Sequence, residues 1–149
     1  MTPDQEASIR EILDGARDLA VATVREDGYP QATTVSFVHV GLAIYFGCGA
    51  ESQKARNIAR DGKVSLTVNL PYASWDEIRG LSLGGRARLV TDPDETSRVF
   101  AAVVAKFPQV TQYAATADRL QMRLVRVDPE FISLLDYRKG FGHTEEITV

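Results

Sequence analysis

The residues best suited to chemistry are concentrated in one run, Tyr45-Phe46-Gly47-Cys48-Gly49-Ala50-Glu51-Ser52-Gln53-Lys54-Ala55-Arg56-Asn57. Strand-forming residues there pass through a turn of small residues into a helix start. Ser52 can cap that helix and Lys54 falls in its first turn. Free backbone N–H groups, a hydroxyl and an ammonium converge at such a point, a combination that suits a phosphate. Read locally, the same residues also fit a solvated basic helix after a glycine turn. Neither nucleotide-loop pattern is met. Gly47 and Lys54 are misspaced for a Walker loop, and Gly-x-Gly-x-x-Gly fails at Ser52.

A second segment, Gln31-Ala32-Thr33-Thr34-Val35-Ser36, puts small hydroxyl residues on a strand. Thr33 and Val35 would share one face, Thr34 and Ser36 the other. A planar heterocycle along such a strand could take hydrogen bonds from backbone and hydroxyls, although good β-propensity alone also explains these residues. Reactive side chains are otherwise scarce. The single cysteine, Cys48, reads as a small packed residue and excludes an internal disulfide framework. With one Cys and two His, His39 and His143, a Cys/His zinc cluster cannot be assembled; the residues leave a mixed site with carboxylates open, and no metal site is expected. His39, at a hairpin edge, reads as a surface residue.

These segments need a scaffold, and the pattern supplies one. Pro3–Arg17 reads as a helix capped by Thr2 or Asp4, with Ile9, Ile12, Leu13 and Ala16 on one face. Strands follow over 19–24 and 31–40, joined by an Asp27-Gly28 hairpin turn, and then over 42–48. A helix over 52–60, with Ala55, Ile58 and Ala59 on one face, would end at Gly62 in the C′ role. Further strands are expected over 63–70 and 78–90, the latter with Gly84-Gly85 marking a bulge or close backbone approach. A helix capped at Asp92 runs to about Phe107, with Val99 to Val104 as its buried face. Two late strands, 121–127 and 130–135, flank Asp128-Pro129, and the tail from Asp136 is expected to be irregular. Hairpins dominate and the strand–helix alternation of a doubly wound sheet is missing. The fold class expected is therefore α+β, mainly β: an antiparallel barrel with flanking helices, one domain over 1–149.

The series Ala22-Thr23-Val24, Asp27-Gly28-Tyr29-Pro30, Thr33-Thr34-Val35-Ser36, Tyr45-Phe46-Gly47, Ser52-Gln53-Lys54-Ala55-Arg56-Asn57-Ile58 and Lys63-Val64-Ser65-Leu66 resembles the pyridoxamine 5′-phosphate oxidase-like family of FMN-binding split β-barrels. The likeness continues through Gly85-Arg86-Ala87 to the tail from Leu135 to His143. It implies that Ser52, Gln53 and Lys54 hold a flavin phosphate. Thr33, Thr34, Val35 and Ser36 would line the isoalloxazine, with Gly47 and Cys48 near the ribityl chain. It also implies a homodimer with the cofactor at the interface, and a flavin-dependent oxidoreductase acting on a small-molecule substrate. Trp75, Lys139 and His143 become candidates for contacts with substrate or the partner chain. Other branches of the superfamily bind a deazaflavin cofactor or haem, the latter a possible use for His143, and the sequence leaves that choice open.

Departures from the true oxidases are specific. Their Arg and Lys on the flavin strand correspond to Thr33 and Val38, and a later Gln corresponds to Gly80. Their C-terminal Arg-x-His has no counterpart in Lys139-Gly140-Phe141-Gly142-His143. Oxidation of vitamin B6 is therefore not expected. Composition excludes other classes. The 149 residues carry 17 Lys and Arg against 20 Asp and Glu, a net charge of −3 that disfavours nucleic acid. The polar, acidic N-terminus is the reverse of a secretory leader, and no apolar run is long enough to span a bilayer. A soluble cytoplasmic protein without nucleic-acid or membrane partners is expected.

Overall fold

A computed structural model describes all residues, Met1–Val149. Helix α1 (Pro3–Gly15) leads into strands β1 (Asp18–Val24), β2 (Pro30–Val40) and β3 (Ala43–Gly49). Helix α2 (Gln53–Arg60) precedes β4 (Lys63–Asn69) and β5 (Arg79–Leu89). Helices α3 (Pro93–Lys106) and α4 (Ala114–Arg119) precede β6 (Met122–Asp136) and β7 (Thr144–Thr148). All strand pairings are antiparallel, in the order β3-β2-β1-β4-β5-β6-β7, and a β3–β6 pairing closes the first six into a barrel. No helix is long and apolar enough to cross a membrane.

Alternation builds the barrel. Along β4, Val64, Leu66 and Val68 are buried while Lys63, Ser65, Thr67 and Asn69 face solvent. Inward residues of the other strands, Val21, Phe46, Leu83, Val125 and Ile132 among them, fill the same core. Helix α1 closes it with Ile9, Ile12 and Leu13, each burial contributing about 1.5–3 kcal/mol. Its start is fixed by a capping box in which Thr2 and Gln5 exchange side chain-to-backbone hydrogen bonds.

Several local expectations need correction. The two late strands are one, the 15-residue β6. Pro129 is tolerated because the β5–β6 register shifts beside it: Gly84 pairs with Phe131 but Gly85 with Pro129, leaving Glu130 as the extra residue of a bulge. Gly85 is required there, since a Cβ would meet the Asp128 carbonyl oxygen at 2.4 Å. The tail is not irregular. β7 pairs with Phe131–Leu135, and Asp136 accepts hydrogen bonds from the Arg138 backbone and guanidinium that shape the turn between them. Gly62 is not a left-handed helix cap but a close-approach site, where a Cβ would meet the Ala87 carbonyl oxygen at 2.8 Å. His39 is not a surface residue either. Its ring meets the Gly41 carbonyl at 2.8 Å and the Asp14 carboxylate at 2.6 Å. On α3 only Val99 and Glu95 are buried, and Phe100 is half exposed.

Candidate functional site

The barrel wall opens on one side. β2 and β3 pair only through Phe37–Val40 and Ala43–Phe46. Beyond that point β3 pairs with β6 alone, while residues 30–36 of β2 pair with β1 alone. The second edge of β2 is therefore free over the Gln31–Ser36 segment, and alternate residues present backbone N–H and C=O groups to the notch. Thr34 and Ser36 lie on the outer, exposed face; Thr33 and Val35 are half buried on the inner one. On the other side of the notch, Gly47 is half buried while the Cys48 side chain packs in the core, so only its backbone is available to a ligand.

The start of α2 borders the same opening. Ser52 caps it, its hydroxyl accepting from the Ala55 N–H at 3.1 Å. The Gln53 and Lys54 N–H groups, at the first two helical positions, have no acceptor within the chain. No acidic residue occupies this first turn, and Lys54 enters no ion pair. Gln53 is less available than its sequence position implies. Its amide nitrogen donates to Asn57 at 2.8 Å, and its amide oxygen accepts from Arg56 at 2.9 Å. Buried Asn57 in turn donates to Thr23 and Gln31, tying α2 to both strands of the first hairpin. Gln53 can thus offer its backbone N–H while its side chain holds the turn.

Sequence reasoning missed two cations here. Arg56, four residues after the cap, donates to the Glu51 carbonyl and to Gln53. Arg25, from the β1–β2 turn, joins Arg56 and Gln53 around a polar depression of about 390 Å³ that Glu26 and Asp27 also line, with Arg25 paired to Asp27 at 3.2 Å. Arg56 falls on the Ser52 side of α2 by helical spacing, which was available to sequence reading; the placement of Arg25 was not.

A second, apolar cavity of about 500 Å³ lies beside the notch, between the barrel and the α3–α4 region. Val35, Ser36 and Gly47 are among its walls. The start of α3 is fixed beside it by a buried polar cluster. Glu95 accepts from the Tyr45 hydroxyl at 2.9 Å and from Arg126 at 3.0 Å. Those hydrogen bonds, Arg126 foremost, hold the Glu95 carboxyl below its ordinary range. Burial, reinforced by Glu95, raises the Tyr45 phenol.

Trp75, Lys139 and His143 come together elsewhere. Phe141 lies between Trp75 and Tyr137, with ring centroids 6.0 and 5.4 Å away, and Trp75 and Phe141 are 68% and 77% exposed. Lys139 and His143 both approach Glu145, at 2.8 and 3.1 Å. Lys139 above all, then Gln5 and His143, bring the Glu145 carboxyl down to about 2. This cluster adjoins the Asp136 end of β6, whereas the notch adjoins the Met122 end.

Comparison with known proteins adds the family. No curated protein matches the chain. A conserved hypothetical protein of Mycobacterium tuberculosis superposes with a TM-score of 0.79 at 27% identity, covering 97% of this chain and 91% of that one. A haem-binding protein of Mycobacterium smegmatis gives 0.82 at 20% identity, covering 99% of this chain, which spans only 59% of that protein. A Listeria innocua protein provisionally assigned as a pyridoxamine 5′-phosphate oxidase gives 0.69 at 22%, covering 89% and 98%. The family model described as pyridoxamine 5′-phosphate oxidase matches residues 5–136. With its six-stranded barrel and open β2–β3 edge, the chain belongs to the pyridoxamine 5′-phosphate oxidase family.

Proposed function

We propose that this chain is a flavin-binding oxidoreductase that holds the FMN phosphate at the start of α2 and acts on a small organic substrate. The carrying observation is the unpaired Lys54 ammonium beside two free helix N–H groups, at the mouth of a notch edged by unpaired β2 backbone. That donor set fits a phosphomonoester: the helix start and Lys54 balance its charge, and Arg56 follows on the same helix. Thr34 and Ser36, with the free backbone of β2, would bind and orient the isoalloxazine. When bound, the flavin supplies hydride transfer, and the protein contributes binding, orientation and exclusion of water.

Vitamin B6 oxidation is not part of the proposal. Val38, at the place of a substrate-binding lysine, is buried under α3 with Tyr45 and Val99. Gly80 stands where the oxidases carry Gln, and even a Cβ there would meet Asn69 Oδ1 at 2.6 Å.

The working unit in this reading is a homodimer with the cofactor at the interface. The outer face of β2, β1 and β4 carries small residues in register, Ala22 between Ala32 and Ser65, and Ala20 between Thr34 and Thr67. The exposed Trp75–Phe141 pair, with Lys139 and His143, does not adjoin this chain's own notch, which in this reading leaves the cluster for the partner chain. A buried free thiol at Cys48 agrees with a reducing cytoplasmic setting.

The test is the absorption spectrum of the purified protein, followed by FMN titration. A flavin spectrum, or saturable uptake of one FMN per chain, supports the reading; a deazaflavin spectrum redirects the cofactor. Haem is the competing reading, favoured by the likeness to the M. smegmatis haem-binding protein. His39 has both ring nitrogens engaged, so iron ligation would fall to His143, whose Nε2 alone is engaged. A Soret band lost in His143→Ala would replace the flavin proposal with that one.

A further inference from the structure

We propose that Asn57 is a positioning residue for the cofactor: it sets the distance and angle between the phosphate corner at the start of α2 and the free edge of β2. The inference rests on the flavin reading, and it concerns a buried side chain that makes no contact with the ligand itself.

Asn57 is 1% exposed and shares the buried face of α2 with Ala55 and Ile58. A polar side chain there carries a desolvation cost that leucine would avoid, unless its hydrogen bonds are made. They are made. Both hydrogens of its Nδ2 are used, on Thr23 Oγ1 at 3.0 Å and on Gln31 Oε1 at 3.2 Å. Its Oδ1 accepts from Gln53 Nε2 at 2.8 Å.

The residue at the head of this chain of bonds fixes their direction. Arg56 can only donate, so the Gln53 amide atom that it meets at 2.9 Å must be the oxygen, and the Gln53 nitrogen must turn to Asn57. Asn57 then has to present its oxygen to Gln53 and its nitrogen to the barrel. Thr23 and Gln31 face each other across β1 and β2, so one amide grips both strands of the hairpin at the same level. Thr23 is buried in the barrel wall, and Gln31 begins the segment whose second edge is free.

Position matters because the two halves of the site are restrained unequally. Residues 30–36 of β2 are held by β1 on one side alone, so no neighbouring strand fixes that edge from the side of the notch. The bonds from Arg56 to Gln31 supply a restraint there, and their other end lies in the first turn of α2 beside Lys54. A leucine at position 57 could fill the space but could not set a hydrogen-bond length or angle. A ligand that reaches both halves gains from their being held at the right separation; a ligand that reaches one does not.

The test compares FMN with riboflavin, which has the same ring and ribityl chain but no phosphate, by fluorescence titration of the intact protein. Asn57→Ser should weaken FMN about tenfold, as loss of simultaneous engagement implies, and leave riboflavin within about twofold. Gln31→Met keeps Asn57 and nearly the same side-chain volume. It should weaken FMN about threefold, as loss of one neutral hydrogen bond implies, and leave riboflavin unchanged; it carries the test if Asn57→Ser fails to fold. Lys54→Ala, expected to cost more than about tenfold alone, should cost less than about threefold in the Asn57→Ser background, because the phosphate no longer reaches its corner. Equal losses for the two flavins, or losses that multiply in the double variant, would make Asn57 purely structural and overturn the proposal. Unchanged FMN affinity in both Asn57→Ser and Gln31→Met overturns it as well, and leaves the flavin reading standing. A wild-type chain that binds neither flavin removes the flavin reading and this inference with it.

Discussion

Helices α2 and α3 both begin at a side-chain cap against the outside of the barrel, yet their first turns are built in opposite senses. α3 starts at Asp92, carries Asp94 and Glu95 in its first turn, and commits Glu95 to Tyr45, Arg126 and Arg88. Its positive helix end is thus matched by acids of its own chain. α2 starts at Ser52, carries no acid, and adds the Lys54 ammonium to the same end of the dipole. A chain that balances one helix end and leaves another unbalanced has, at the second, a place where an external anion lowers the free energy. In the proposed reading, the first attachment serves the fold and the second serves a ligand.

That contrast can be broken at either end. The largest effect is expected from Lys54→Glu, which should weaken FMN binding by about 100-fold, with Lys54→Ala losing more than tenfold. Both should leave thermal stability within about 0.5 kcal/mol. Fluorescence titration and a thermal melt measure the pair, and an unchanged dissociation constant removes the phosphate site. At α3 the pattern should reverse. Tyr45→Phe takes one donor from Glu95 and should destabilise the fold by about 1.5–3 kcal/mol, a fall in Tm of about 4–8 °C, with FMN affinity kept within about twofold. A variant that loses FMN without losing stability would contradict the division of labour.

Ser52→Ala sits between the two. It removes the α2 cap at a cost of about 1 kcal/mol and should weaken FMN only a few-fold, since the free N–H groups remain. A loss as large as that of Lys54→Ala would shift the main phosphate contact to the hydroxyl.

The smallest effect is in acid. Glu95 and Glu145 are held below their ordinary pKa by their partners. A carboxylate of this kind contributes stability that is complete above its unfolded pKa and lost as pH falls through its folded one. For Glu145 that window runs from 4.5 down to about 2. Tm should therefore fall across it, less steeply in Glu145→Gln, whereas Lys54→Ala should follow the wild-type curve. A parallel loss in Glu145→Gln would show that its partners do not hold the carboxylate in solution.

Most of the barrel was legible in the sequence because burial follows local period. Val64, Leu66 and Val68 alternate with polar neighbours, and that pattern alone puts them inside. The tail was not legible. Thr144–Thr148 is short and polar, and it becomes a strand only because β6 offers it an edge. Pro129 misled for the same reason: its strand continues because glycines on the neighbouring strand absorb the bulge. At the candidate site, the Ser52-to-Lys54 corner was readable from residue type and spacing. The side-chain commitment of Gln53 was not, since its partner Asn57 is held by Thr23 and Gln31, 34 and 26 residues away.

By itself, the sequence determined the alternation that makes a barrel, the cap and cation at the start of α2, and the shortage of Cys and His side chains. Only the tertiary structure decided that β2 and β3 part after Phe37, that Lys54 stays unpaired beside that opening, and that α3 stands over an apolar cavity. The division has a physical cause. Period and capping act over a few residues along the chain, whereas an open strand edge or an unpaired charge is defined by which distant residues fail to arrive.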